Sequence, residues 1–154
     1  LLKSIYIAAG WTFMGVFALM YYQRWPRTSD IIFICFLFVK LFIMTVVYDI
    51  KDLAQDSKEG TWTIPLYLGV KETNLLLHGL NLLATAGIFA LIIDWGYNYY
   101  AIILVLLAIY QTIMIDLCKK GASEWVYFGM CDLEQFIWLL GLMSMRWMVQ
   151  CGYI

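Results

Sequence analysis

Three aspartates, Asp49, Asp52 and Asp56, stand at spacings of three and four in a chain that is otherwise poor in charge. On a helix those spacings put all three carboxylates on one face. Like charges so placed repel one another unless a cation sits among them. An all-oxygen set of this kind suits a hard divalent ion, Mg2+ above all, which commonly joins one or two carboxylates to phosphate oxygens. The competing reading is a solvated acidic loop, because the stretch from Asp49 to Glu59 also holds Lys51, Lys58 and Glu59 itself. Spacing alone leaves both readings open.

The elements that must position these carboxylates are apolar. Of 154 residues, 64% are hydrophobic and 14% charged, too little polarity to coat a soluble core of this size. Apolar runs over 5–22, 31–48, 73–93, 99–115 and 132–149 each approach the length a helix needs to cross a bilayer. The expectation is an all-α, polytopic transmembrane bundle of five spanning helices, a single membrane domain over 1–154. Its acidic segment, 49–69, joins the second and third spans. Tyr21, Tyr22, Arg24, Trp25 and Arg27 mark a membrane–water interface after the first run, and Pro26 begins a turn there. Lys40, halfway along the second run, must face the protein interior or a watery cavity, as a structural partner or a group that draws in an anion. His78 reads as a hydrogen-bonded packing residue near the start of the third run.

Several classes of partner and segment are disfavoured by composition. Net charge is −1 with no basic tract, which argues against nucleic acid as a partner. The four cysteines, Cys35, Cys118, Cys131 and Cys151, show no CxxC pairing and read as small, membrane-compatible residues. No signal-peptide pattern, internal repeat or low-complexity tract is visible.

Five spans would put alternate loops on opposite sides. Lys3, Lys51, Lys58, Lys71, Lys119 and Lys120 then share a side with the acidic segment, against Arg24, Arg27 and Arg146 on the other. The excess of positive residues places the segment on the cytoplasmic face. Nine of the eleven acidic residues lie there too, all but Asp30 and Asp94. Acids contribute little to topology, so their asymmetry points to chemistry on one face.

Asp49-Ile-Lys-Asp52-Leu-Ala-Gln-Asp56-Ser-Lys58-Glu-Gly60-Thr-Trp-Thr63-Ile-Pro65-Leu-Tyr-Leu-Gly69 resembles the second aspartate-rich motif of the UbiA superfamily of intramembrane prenyltransferases. The likeness rests on D-x-x-D-x-x-x-D, a Lys/Gly pair and a T-x-P-x-x-x-G tail. Leu2-Lys3 is similar to the Leu-Lys that often opens the fifth helix of that family, so the five runs would match helices five to nine, the family's C-terminal half. The resemblance implies transfer of an isoprenyl group from its diphosphate to an aromatic or other hydrophobic acceptor, with Mg2+ as cofactor. It implies Asp49, Asp52 and Asp56 as metal ligands, with Lys58 and Lys3 as secondary candidates for diphosphate contact. It assigns no catalytic residue. Gly60, Thr63 and Pro65 would shape the loop. Tyr48, Trp62 and Tyr67 flank the motif, where aromatic faces could stabilise an allylic cation by about 0.5–2 kcal/mol each, or simply pack.

The family's first motif, of N-D-x-x-D type, is missing from these residues. Asp132 and Glu134 are on the expected side but have the wrong spacing and position to replace it. Two explanations compete. A chain that opens on Leu1 suits the C-terminal part of a longer enzyme, while a five-helix relative could be a catalytically silent subunit of a larger membrane complex. The latter would contact lipids, quinones or pigments and need other chains to cover its polar side. A small transporter or channel is the third class, and no paired discontinuous helices or inverted repeat supports it.

Overall fold

The computed structural model describes residues 2–21, 28–94, 98–118, 122–134, 136, 137, 140, 143, 144 and 151. Expectations that fall on Arg24, Trp25, Pro26, Arg27, Lys119, Lys120, Arg146 and most of the fifth run lie outside them. Among the described residues the chain is helical, with no strand. In order come α1 (Leu2–Tyr21), α2 (Thr28–Lys51), α3 (Leu53–Glu59), α4 (Ile64–Leu68), α5 (Val70–Asp94), α6 (Asn98–Leu117) and α7 (Glu124–Tyr127). A π-helical turn, Phe128–Asp132, follows directly. The stretches Asp30–Lys51 and Val70–Ala90 are long and apolar enough to cross a membrane, and Ala101–Leu117 is a shorter apolar helix.

Long helices form where nothing interrupts the apolar runs. No proline occurs inside α1, α2, α5 or α6, so their hydrogen-bond ladders are unbroken by that residue. Their outward surfaces stay apolar. Tyr6, Trp11, Phe13, Met14, Phe17 and Met20 on α1 are all exposed. A contiguous surface of this kind is what a lipid-facing helix presents and what a soluble monomer avoids.

The helices α2, α5 and α6 build the core in layers. Phe36, Ile88 and Leu104 form one layer. Ile43 and Val47 of α2 meet Leu77 of α5 and Met114 and Ile115 of α6 in another, with Ile64 and Tyr127 closing over it. Between the layers lies a polar stratum. Lys40 Nζ donates to Asn81 Oδ1 and, at 3.1 Å, to Thr85 Oγ1. Asn81 Nδ2 in turn donates to Ala108 O and Thr112 Oγ1, each at 3.0 Å. Gln111 Nε2 reaches the Lys40 carbonyl at 3.2 Å. These interhelical hydrogen bonds tie α2, α5 and α6 together across the core. Lys40 is thus a structural partner: the hydrogen-bond acceptors shown for it are neutral, and the buried Glu134 carboxylate adds its charge. The Phe36 ring, 5.2 Å from the ammonium, adds a cation–π contact.

Partner numbers fall along α5 as they rise along its neighbours, so α2, α5 and α6 run alternately up and down. Ser4 meets Thr45 and Asp49 while Gly15 faces Leu37, so α1 is antiparallel to α2. This topology gathers the start of α1, the end of α2, the start of α5 and the end of α6 at one end of the bundle. The charged residues of the site are there.

Candidate functional site

The acidic stretch is the end of the long helix α2 running almost continuously into the short helix α3. Asp52 N–H donates to Tyr48 O at 3.0 Å and Asp56 N–H to Asp52 O at 2.9 Å, so helical bonding passes through the junction at Asp52. Asp49 is on α2, Asp52 caps α3 and Asp56 is in its first turn. Gly60 then ends α3 at φ 69°, the left-handed conformation that glycine adopts without Cβ strain, and its N–H returns to Asp56 O. Thr63 is extended, Pro65 occupies the first turn of α4, and Gly69 at φ 88° leads into α5. A Cβ on Gly69 would lie 3.0 Å from Glu72 Oε2. The Gly, Thr, Pro and Gly of the motif therefore fold its tail back over α2 and α5, where Ile64 packs into the core.

Two of the three carboxylates turn inward and meet a cation supplied by the chain. Asp49 and Asp56 are only 2% and 3% exposed. Lys3 Nζ stands 3.1 Å from Asp56 Oδ1 and 3.5 Å from Asp49 Oδ1. Ser4 Oγ donates to the other Asp49 oxygen. Burial works to lower the Lys3 pKa, but the Asp56 hydrogen bond and the charges of Asp49, Asp56 and Asp52 outweigh it and hold the ammonium above the ordinary 10.5. Asp52 is half-buried, whereas Lys58 is exposed.

A cavity of about 410 Å³ opens beside this cluster. Lys3, Asp49, Asp52, Tyr48 and Asp132 make its polar end, and Ile7, Trp11 and Met44 are among its apolar walls. Its size is within the range of small-molecule sites. Asp132 arrives from the π-helical turn and accepts a hydrogen bond from the Tyr48 hydroxyl. Sequence spacing had set Asp132 apart from the motif. Only the folding of the turn against α2 brings it to the same cavity, and no local signal could have found it. Ser4 was missed for the same reason, being 45 residues from its partner Asp49.

The oxygen donors suit a hard cation, yet the point where Asp49 and Asp56 converge is held by the Lys3 ammonium. Among the described residues no three His, Cys, Asp or Glu side chains are gathered as a metal-binding group. The flanking aromatics divide. Tyr48 lines the cavity, while Trp62 and Tyr67 project outward, strongly exposed, around a separate cleft of about 300 Å³. His78 lies 3.3 Å from Asp116, at the same end of the bundle. Compared with protein-family models, with curated proteins and with solved structures, the chain matches none.

Proposed function

We propose that this chain is a UbiA-like prenyltransferase half-site: a membrane domain of five spanning helices, with the acidic end at the cytoplasmic face, that binds an isoprenyl diphosphate with Mg2+. The observation that carries the reading is the cavity between α1 and α2, charged at one end and apolar along its walls. An isoprenyl diphosphate has the same division. Its chain fits Ile7, Trp11 and Met44, and its headgroup fits the end where Lys3, Asp49 and Asp52 meet.

Asp49, Asp52 and Asp56 would hold the metal in that reading. Bound Mg2+ supplies neutralisation of the diphosphate charge, without which diphosphate is a poor leaving group. Lys3 binds a diphosphate oxygen once its ammonium turns from the carboxylates, a movement open to a side chain 37% exposed. Lys58 is a second, outer contact for the same group. The apolar walls keep water from the allylic carbon. The acceptor is an aromatic or other hydrophobic molecule, and carboxylates of the first-motif type would be supplied by other membrane helices packed against this site.

The test is binding of a non-reactive isoprenyl diphosphate analogue to the full chain in lipid vesicles, with Mg2+ titrated. The expected result is Mg2+-dependent binding weakened at least tenfold by Asp52→Ala and by Asp56→Ala. Equal binding by wild type and both variants would sink the proposal. A second reading is favoured by the Lys3 ammonium itself. A catalytically silent subunit of a membrane complex needs its inherited carboxylates neutralised permanently, and an internal lysine does that without metal. Mg2+-independent, diphosphate-independent stability together with co-purifying membrane chains would select this alternative.

A further inference from the structure

We propose that Cys118 and Cys131 form an oxidisable dithiol, a modification site where peroxide makes an intramolecular disulfide that locks the π-helical turn to the end of α6. The two Sγ atoms are 3.8 Å apart and share a hydrogen bond. Both residues are fully buried, in the same apolar cluster as Met114 and Tyr127. A disulfide needs the sulfurs at about 2.05 Å, a closure of less than 2 Å that side-chain rotation at the two residues can supply. The remaining cysteines, Cys35 and Cys151, are exposed and unpaired.

Geometry also gives the reagent a route. Cys131 lines the cavity that holds Tyr48 and Asp132, so a small neutral oxidant such as hydrogen peroxide can reach the pair from that side. Cys131 is therefore the thiol that the oxidant meets. Its sulfur attacks one peroxide oxygen, the O–O bond breaks, and hydroxide leaves; Cys131 becomes a sulfenic acid. The Cys118 sulfur, whose thiol the shared hydrogen bond lowers, then attacks the Cys131 sulfur, its thiol proton goes to the departing hydroxyl, and water leaves. With the first thiol's proton counted, two thiols and one peroxide yield one disulfide and two waters. A thiol reductant reverses the bond by exchange.

The bond acts on an element already pinned to α6. The Tyr110 hydroxyl donates to Met130 O at 2.7 Å, and the turn carries Asp132 to Tyr48. Oxidation therefore fixes Asp132 at the cavity wall. None of this depends on what the cavity binds.

The full chain in lipid vesicles is exposed to hydrogen peroxide, alkylated after denaturation, digested and analysed by mass spectrometry. The expected product is a reducible link between the Cys118 and Cys131 peptides, at least tenfold more abundant than any other cysteine pairing. The Cys35→Ser/Cys151→Ser variant retains the link, which separates it from cross-linking between chains, and Cys118→Ser abolishes it. The wild-type digest decides alone if Cys118→Ser fails to fold. Alkylation of both Cys118 and Cys131 under conditions that oxidise Cys35 and Cys151 would overturn the proposal.

Discussion

Lys3 and Lys40 lie on neighbouring helices and each carries an ammonium group into apolar surroundings, but their partners differ. Lys3 is set between two carboxylates at the end of the bundle, and its side chain keeps 37% of its exposure. Lys40 is 4% exposed and held by an amide, a hydroxyl and a ring face. Neutral acceptors at fixed positions on α5 give Lys40 one place to be. Carboxylates attract any cation, so the Lys3 contact can be exchanged for another positive group and can take part in binding. The Lys40 ammonium is fixed by direct hydrogen bonds to neutral groups, with the Glu134 carboxylate acting from farther off, whereas the Lys3 ammonium sits directly between carboxylates.

The comparison can be broken at either lysine. The largest expected effect is at Asn81, which bridges Lys40 to Ala108 and Thr112. Asn81→Leu leaves a buried ammonium short of one acceptor, and the expected loss is about 2–3 kcal/mol of stability, the cost of a lost hydrogen bond to a buried charged group. Thermal unfolding in detergent measures it; a loss below 1 kcal/mol would mean that Lys40 is held by something else. Lys3→Ala should cost less, about 1–2 kcal/mol, because the pair is partly solvated. This variant also sharpens the distinction between exchangeable and fixed charge. With the ammonium gone, Mg2+ should stabilise Lys3→Ala more than wild type, whereas an identical response in both would show that the carboxylates do not accept an exchanged cation.

The smallest effect expected is with pH. The Lys3 pKa is raised in the folded state, so its contribution is complete below the unfolded value of about 10.4 and is lost as pH climbs through the higher folded value. The stability gap between wild type and Lys3→Ala should therefore hold from neutrality to about pH 10 and close above it. A gap that closes at lower pH would contradict the raised value.

Much of the helical layout was legible in apolar run length, because long apolar runs free of proline let the helical hydrogen-bond ladder continue unbroken. α2 runs on to Lys51, three residues beyond the 48 read from hydropathy, since charge at a helix end need not stop the ladder. The inward placing of Asp49 and Asp56 follows the one-face spacing. Its occupant does not. Lys3 is 53 residues from Asp56, and only the antiparallel docking of α1 on α2 sets them together. Lys40 was legible as an inward-facing charge, but its neutral partners on α5 were not, because any of the polar residues of the third run could have met it. Cys118 and Cys131 carry no motif spacing; a fold that returns the chain past the end of α6 makes them neighbours.

The π-helical turn at Phe128–Asp132 has a consequence for rotational phase. A π turn holds one residue more than the α-helical turn it replaces, and each residue of an α-helix advances the azimuth by about 100°. Drawing Phe128–Asp132 into α geometry with every residue kept would swing everything after it by about that angle relative to α7. Asp132 would leave Tyr48, and Cys131 would leave Cys118. One inserted residue thus sets the phase of both the carboxylate at the cavity and the thiol behind it.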